Sequence, residues 1–514
     1  MKEPEDEKDQ SALPAEEKKK SAEKPSAVKS SVQRVLWKIH ARFPNFIPDP
    51  YGNRLENWRS RDANENIESA IPDGNNVQLG LISVSEIFGP NEIETLYASL
   101  ERLGWHQERY PIQNQSHVDW LKNQRMYGTG GTIPLGWVHR SEDKKKNFNV
   151  RYTADFPKAF SSLLVSITQL TPSVTCISVG FVLTEEASFT YKNEINLPAQ
   201  TTLVPHWRSG SYSVKSVSHV KADRIKQARE TYRSLAISWV GKNFPGFFKV
   251  RCGPNLIPTA EYQVLEGFTP FDWDTSRDLP SHHWSHFLGH DRAFDSWVNS
   301  STPSLRFSFD TSPNEEFPNH LTVALRWDSL NADDTRHYDT KTLSGKVYFA
   351  HERVDGIIAK NVLCCYLREL LRSLKEARQS LSISQTRRQS ISEIEQISSF
   401  FRNSVGVPSI AREALELSED DASFRWNATG FVQQDRPDRK RTLEIKDGLK
   451  SLLQRLSRKL LEEDQDTRDY LNQLSSAVGT RESMAAQKRM EILTWLAIII
   501  SLTSAIIAVL AISA

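Results

Sequence analysis

The residues of this chain best suited to chemistry are the histidines of segment 281–290, which reads Ser-His-His-Trp-Ser-His-Phe-Leu-Gly-His. Four of the 13 histidines in the chain lie within this segment. On a helix, His282, His286 and His290 share one face, because side chains four residues apart are neighbours. Neutral imidazoles at that spacing bind divalent metals such as zinc. The segment therefore indicates a divalent-metal site at these three histidines.

Other residues of the same segment favour a second interpretation. Gly289 is typical of a helix that ends before His290, and no glutamate stands where the HExxH zinc motif requires one. The preferred interpretation is a polar, aromatic-rich surface helix that binds nothing. No cofactor is therefore predicted, and the divalent metal is the alternative.

Other motifs of known chemistry are missing from the sequence. It contains no Gly-x-Ser-x-Gly elbow of a serine hydrolase and no Gly-Lys-Ser or Gly-Lys-Thr of a phosphate-binding loop. The four cysteines show no Cys-x-x-Cys spacing, which fits a reducing compartment and argues against a disulfide framework. The sequence leaves open whether the chain is an enzyme.

The domain that would hold any such site is predicted to be anchored in a membrane. Residues 492–512 contain no charged residue and are rich in Leu, Ile, Ala and Val. A helix of this length, rising about 1.5 Å per residue, spans the roughly 30 Å hydrocarbon core of a bilayer. Arg481, Lys488 and Arg489 precede the segment, and no basic residue follows it. Positive flanks stay on the cytoplasmic side. We expect a single-pass, C-terminal anchor with the body of the protein in the cytoplasm.

Small side chains recur along one face of this apolar segment. Small residues let membrane helices approach closely, and close packing drives their association. We therefore expect a homo-oligomer whose membrane helices pack through a face made of Ala497, Ser501, Ser504, Ala505 and Ala508.

The 514 residues carry a formal net charge of +1, which argues against a nucleic-acid partner. Strands and helices do not alternate regularly along the body, so an α+β fold is preferred over a doubly wound sheet. The predicted organisation is a disordered charged tail (1–30), a short helix with a Pro-rich lead-in (31–75), an α+β globular domain (76–352), a long helix (354–402), a connector (403–440), a helical stalk (441–490) and a transmembrane helix (492–512).

The region after the globular domain is predicted to be long helices. Leucines of the stalk roughly follow a coiled-coil heptad, and the short connector permits the long helix and the stalk to form either an extended stalk or an antiparallel hairpin. Gly479 and Thr480 are typical of a helix end followed by a new start. Just before the long helix, residues 346–350 have the pattern of a strand.

These features together favour a membrane-tethered binding or sensing protein. Its cytoplasmic α+β domain would bind an unknown protein or small-molecule ligand, and its stalk and anchor would place and assemble it at the lipid bilayer. Two alternatives stay open: a metal-dependent hydrolase that uses the histidines of segment 282–290, and an effector whose anchors perturb the membrane.

Overall fold

The structure is a computed structural model that describes residues 32, 35–37, 39, 40, 58–107, 115–128, 130–142, 151–206, 211–271, 284, 287–290, 296–309, 319–331, 335–384, 405–425, 430–434 and 443–513. The predicted disordered tail, residues 1–30, lies outside them. The chain divides into two compact units, residues 1–67 with 199–220 and residues 68–198 with 221–514. Each unit is described by itself.

The smaller unit contains helical residues between 32 and 40 and a two-stranded hairpin. Its buried contacts centre on Asp62, whose carboxylate accepts hydrogen bonds from the backbone N–H and the hydroxyl of Thr201 at 3.0 and 2.6 Å. The hairpin strands are β6 (Thr202–His206) and β7 (Ser211–Lys215).

The larger unit is built on one mixed sheet of ten strands in the order β12-β9-β10-β11-β8-β1-β5-β4-β2-β3. The β8–β11 and β2–β3 pairs are parallel and the other pairs are antiparallel. The strands are β1 (Asn76–Phe88), β2 (Gly131–Arg140), β3 (Tyr152–Ala154), β4 (Phe160–Thr171), β5 (Val174–Leu183), β8 (Thr259–Glu266), β9 (Ser296–Asn299), β10 (Leu305–Phe309), β11 (His320–Arg326) and β12 (Phe431–Gln433).

Helices pack around this sheet, so the prediction of a mixed domain with many helices and one long apolar C-terminal helix is confirmed. The helices of this unit are α2 (Ile93–Arg102), α3 (His117–Tyr127), α4 (Glu185–Asn196), α5 (Val217–Asn243), α6 (Leu343–Ser384), α7 (Val407–Glu419), α8 (Asp421–Arg425) and α9 (Ile445–Ser513), with a π-helical turn at Phe248–Cys252. Helix α1 (Asp62–Glu68) belongs almost entirely to the smaller unit.

Strands β1 and β5 form the middle of the core because both of their faces are covered. Every residue of β5 is buried, which explains its continuous apolar run. Two of the serines that interrupt the apolar pattern satisfy each other: the hydroxyls of Ser85 and Ser178 lie 2.9 Å apart across the β1–β5 pair. At Gly80 a Cβ atom would lie 2.2 Å from a side-chain methyl of Val347, so this glycine lets α6 pack close to β1.

Helix α6 begins earlier than predicted. It starts at Leu343, so residues 346–350 are helical and the predicted strand is wrong. The apolar side chains that suggested a strand, including Val347 and Phe349, are buried in the core. A short apolar run does not distinguish a buried strand from one end of a buried helix.

Helix α9 packs along α6 and α7 through a row of buried leucines, Leu449, Leu453, Leu456 and Leu460. Near its start, the ammonium groups of Lys360 (α6) and Lys450 (α9) lie 5.2 and 5.4 Å from the ring of Phe424. Farther along, Arg378 pairs with Glu463 at 2.7 Å. Both helices therefore advance in the same direction over this stretch, which differs from the antiparallel pair that the connector permitted.

Helix α9 is continuous through Gly479 and Thr480, so the predicted break at this position is wrong. One glycine inside a helix costs only about 1 kcal/mol relative to alanine, which is too little to end a long helix. The Thr480 hydroxyl donates to the carbonyl of Ser476 at 2.9 Å, as threonine does inside helices.

Candidate functional site

The histidine segment is only partly described. His282 and His286 lie outside the described residues, whereas His290 is buried with its ring 4.8 Å from the ring of Phe271 and 6.0 Å from that of Phe268. His290 lies in a turn after Gly289, whose φ is +79°, and so is not on a helical face. The expected spacing of three histidines on one helix therefore does not extend to His290.

The described part of the segment belongs to the core rather than to a surface helix. Trp284 and Leu288 are buried, and Trp284 packs edge-on against Phe268 with ring centroids 4.5 Å apart. Within the described residues there is no group of three or more His, Cys, Asp or Glu that could hold a metal ion. A metal at His282, His286 and His290 stays a prediction.

A buried cluster of charged and polar groups lies beneath this segment. Glu261 of β8 is fully buried, and Arg229 of α5 binds it with two nitrogens, its Nε donating at 2.9 Å. Gln263, on the same strand, donates to Glu261 at 2.8 Å, and Arg233 lies 3.6 Å from the carboxylate. Burial alone would raise the pKa of Glu261, but Arg229, His320 and Arg233 together outweigh burial and hold the pKa well below its usual value.

His320 of β11 completes this cluster as a neutral ring. An arginine can only donate, so the 3.0 Å contact between Arg233 Nη2 and His320 Nε2 makes Nε2 an acceptor. The proton is then on Nδ1, which donates to the Thr259 hydroxyl at 2.9 Å. Burial, with help from Arg233, lowers the pKa of His320 to about 4.

The cluster positions the histidine segment. Arg229 Nη1 donates to the carbonyl of Phe287 at 3.4 Å, and Gln263 Nε2 donates to the carbonyl of Leu288 at 3.2 Å. A histidine with a pKa near 4 does not exchange protons at neutral pH, so His320 is poorly suited to general acid–base catalysis there. We interpret the cluster as a structural element that fixes α5, β8, β11 and the turn at 287–290 to one another.

The sequence analysis did not identify this cluster. Its members come from three elements up to about 90 residues apart, and pairing between distant elements has no local pattern. One signal was present: Glu261 and Gln263 alternate along a strand whose other residues are mostly apolar and buried. A buried carboxylate on such a strand requires charged partners.

A surface cleft of about 460 Å³ lies between β1, the first turns of α4 and the start of α6. Its volume falls in the range of small-molecule sites. Its lining carries both signs of charge, from Glu185, Glu186, Lys192, Lys341 and Lys346. Lys346 already pairs with Glu266 at 3.2 Å. The cleft therefore presents a largely self-neutralised surface.

The second functional region is the far end of α9. It is the one helix in the described part of the chain that is long and apolar enough to span a membrane, and its most apolar window has no residue buried against the rest of the protein. Ile492, Trp495 and Val509 are 60, 64 and 66% exposed. The small residues of the predicted packing face, Ala497, Ser501, Ser504, Ala505 and Ala508, are exposed as well.

The five small residues lie on one side of α9. At about 100° per residue they span an arc of about 100°.

Comparison of the chain with family models, with curated proteins and with solved structures finds no match.

Proposed function

We propose that this chain is a single-pass, membrane-tethered protein whose mixed α/β body binds or senses a ligand and whose last helix anchors it in a bilayer. One observation carries the proposal: the apolar end of α9 is exposed along its whole described length. Ten aliphatic side chains between Ile492 and Val509 are at least 44% exposed. Removing each of these side chains from water is favourable by about 2 kcal/mol. Transfer of the whole stretch into an apolar environment is therefore favourable by on the order of 20 kcal/mol.

A bilayer is the environment that fits this stretch best. The helix is continuous and satisfies its own backbone hydrogen bonds, as a segment in lipid must. Its apolar side chains point in all directions, which suits a uniform apolar medium better than a groove on one side. Removing residues 490–514 should move the protein from the membrane pellet to the soluble fraction. Solubility of the full chain without detergent would contradict the proposal.

The charges beside the anchor favour a body in the cytoplasm. Arg481, Lys488 and Arg489 lie on the body side of the apolar segment. The positive-inside rule places such a flank in the cytoplasm. Protease added to intact cells should leave the body uncut, and digestion of the body under these conditions would reverse the topology.

The stretch between body and anchor is proposed to act as a spacer. Among the α9 residues whose burial the structure describes, the last buried one is Leu471, and the anchor begins at Ile492. The intervening helix is about 30 Å long at about 1.5 Å per residue. The basic residues near Lys459 would lie about 50 Å from the anchor along a straight helix, too far for direct contact with headgroups.

Association of copies is proposed to occur through the membrane part of α9. If the spacing of the buried positions on α9 is extended past Leu471, it falls on Arg481 and Lys488, which are exposed. Like charges at a helix–helix seam oppose a parallel coiled coil. The small-residue face has no such charges. Two anchors could therefore pack through Ala497, Ser501 and Ala505.

A further inference from the structure

A small cavity lies where β1 ends against α6 and α7. Its walls are mainly apolar, and its volume is about 50 Å³, enough for a few water molecules or one side-chain-sized group. The apolar lining consists of Pro90, Phe247, Leu370, Val405, Val407 and Ile410. Val405 stands at the mouth and is 74% exposed.

Tyr366 supplies a polar group to this cavity. The residue is 2% exposed, yet its hydroxyl has no hydrogen-bond partner among the described residues. Its ring packs edge-on against Phe247, with centroids 4.6 Å apart, which fixes the direction of the hydroxyl. The hydroxyl is not among the fully buried side-chain atoms that lack a partner, so it faces the open space of the cavity, where a ligand oxygen could replace water.

Gly89 keeps the polar end of the cavity open. A Cβ atom at this position would lie 2.9 Å from the Tyr366 hydroxyl and 3.1 Å from Glu92 Oε2. The glycine does not have a positive φ, so backbone conformation does not require it. Glycine is needed here because any side chain would contact the Tyr366 hydroxyl and the Glu92 carboxylate.

The charged groups of the cavity, Glu92 and Arg251, neutralise each other, and the uncharged amide of Asn91 lies beside them in the lining. Glu92 Oε1 lies 3.3 Å from Arg251 Nη2, and burial raises the pKa of Glu92 despite this partner. A charged ligand would have to break the pair and leave one buried charge without a partner, which is costly. A neutral ligand leaves the pair intact and needs only to satisfy Tyr366.

We propose that this cavity binds a neutral small molecule, or the end of one, in which a compact apolar group carries a carbonyl or hydroxyl oxygen. The apolar group packs against Phe247, Leu370 and Ile410, and the Tyr366 hydroxyl donates to the oxygen. The proposal rests on the binding role proposed for the body but is independent of the membrane anchor.

The position of the cavity connects a bound ligand to the anchor helix. Val407 and Ile410 belong to α7, which packs directly on α9. A ligand that fills the cavity would stabilise the contact of α7 with the body, and α7 is the neighbour of the helix that leads to the membrane. This arrangement suits a sensing module, because a ligand in the cavity would affect α7, which packs on the helix that runs from the body toward the membrane.

The test uses full-length protein in mild detergent and saturation-transfer NMR with two matched probes, isobutyramide and isobutyrate. They have nearly the same shape and differ in charge. Isobutyramide should bind saturably with a dissociation constant on the order of 1–10 mM, as expected for six heavy atoms. Isobutyrate should bind at least tenfold more weakly. No saturable binding of isobutyramide, or equal binding of both probes, would overturn the proposal.

Two variants assign the binding to this cavity. Tyr366→Phe keeps the ring and removes the hydroxyl, and should weaken isobutyramide binding about fivefold. Val405→Trp, at an exposed position that does not threaten folding, should block the mouth and abolish binding. Tyr232→Phe is the control, because its hydroxyl donates to the carbonyl of Ala187 at another place. Unchanged binding in both Tyr366→Phe and Val405→Trp would contradict the assignment, whatever the outcome of the membrane experiments.

Discussion

The body of this protein and the end of α9 both depart from the usual distribution of side chains, in which polar groups face solvent and apolar groups are buried. The body buries charged groups, whereas the end of α9 exposes apolar ones. The body buries a carboxylate, Glu261, together with Arg229, Arg233 and His320. The far end of α9 exposes a continuous apolar surface. Each arrangement is unfavourable alone and needs compensation. In the body, compensation comes from partners within the chain, whereas the end of α9 needs an external environment.

The largest effect is expected when charged residues are placed in the apolar stretch of α9. Ile499→Arg together with Leu502→Arg should reduce membrane insertion severely, because each arginine near the centre of a membrane helix costs about 2.5–3.5 kcal/mol in insertion assays. The measurement is the fraction of protein that resists alkaline extraction from membranes. The same pair of arginines at Ser476 and Thr480, in the spacer, should have little effect. Equal extraction of both double variants would show that the stretch does not insert.

Removing the charge at the centre of the body should produce the next largest effect. Glu261→Gln leaves Arg229 and Arg233 buried without their carboxylate and should lower the free energy of unfolding by about 3–5 kcal/mol. Chemical denaturation of the full-length chain measures the change. The matched control is Glu266→Gln on the same strand, which breaks a more exposed ion pair with Lys346 and should cost about 1 kcal/mol or less. A similar decrease in the free energy of unfolding in both variants would contradict a special stabilising role for the buried cluster.

Acid should weaken the body through His320. Its folded pKa of about 4 lies below the usual value of 6.5, so the unfolded chain takes up the proton first as the pH falls. This contribution to stability is therefore full above pH 6.5 and declines as the pH falls toward 4, by about 3 kcal/mol in total at 1.36 kcal/mol per pKa unit.

The pH effect is assigned to His320 by comparing unfolding free energies of the wild type and His320→Gln from pH 7.5 to 4. The variant should lose less stability between pH 6.5 and 4 than the wild type. His117, whose pKa burial also lowers to about 4, adds a similar slope to both proteins and leaves their difference unchanged. Parallel profiles for the two proteins would argue against a neutral, buried His320.

The smallest effect is expected at the small-residue face of α9. Ser501→Leu with Ala505→Leu prevents close approach of two anchors and should weaken self-association in mild detergent by about 1–2 kcal/mol, with insertion unchanged. Ile499→Leu with Ile506→Leu changes a different face and is the control. Analytical ultracentrifugation measures both. A wild-type chain that stays monomeric at micromolar concentration in several mild detergents would defeat the prediction.

Local patterns in the sequence predicted much of the secondary structure but little of its arrangement. The apolar runs of β1, β4 and β5 and the apolar end of α9 were identified, because each is a continuous feature of one segment. The strand order and the parallel β8–β11 pair depend on residues far apart in the chain. The start of α6 was misjudged because a buried helix and a buried strand have similar composition over five residues.

The candidate sites show the same limit. The histidine spacing suggested a metal site from a local pattern, and the structure places His290 in an aromatic surrounding beside a charge cluster that no local pattern indicated. Tyr366, Gly89 and Glu92 meet only because α6 crosses the end of β1. Only the anchor, which one continuous segment contains, could be proposed from sequence.

The central claim, that the end of α9 lies within a bilayer, is tested most directly by an environment-sensitive fluorophore on single introduced cysteines. Leu502→Cys lies near the middle of the apolar stretch and Ala477→Cys lies in the spacer; a Cys252→Ser background removes the least buried native thiol. In reconstituted vesicles, position 502 should show blue-shifted emission and strong quenching by nitroxides at the bilayer centre, whereas position 477 should behave as in water. Water-like emission without quenching at position 502 would contradict the account.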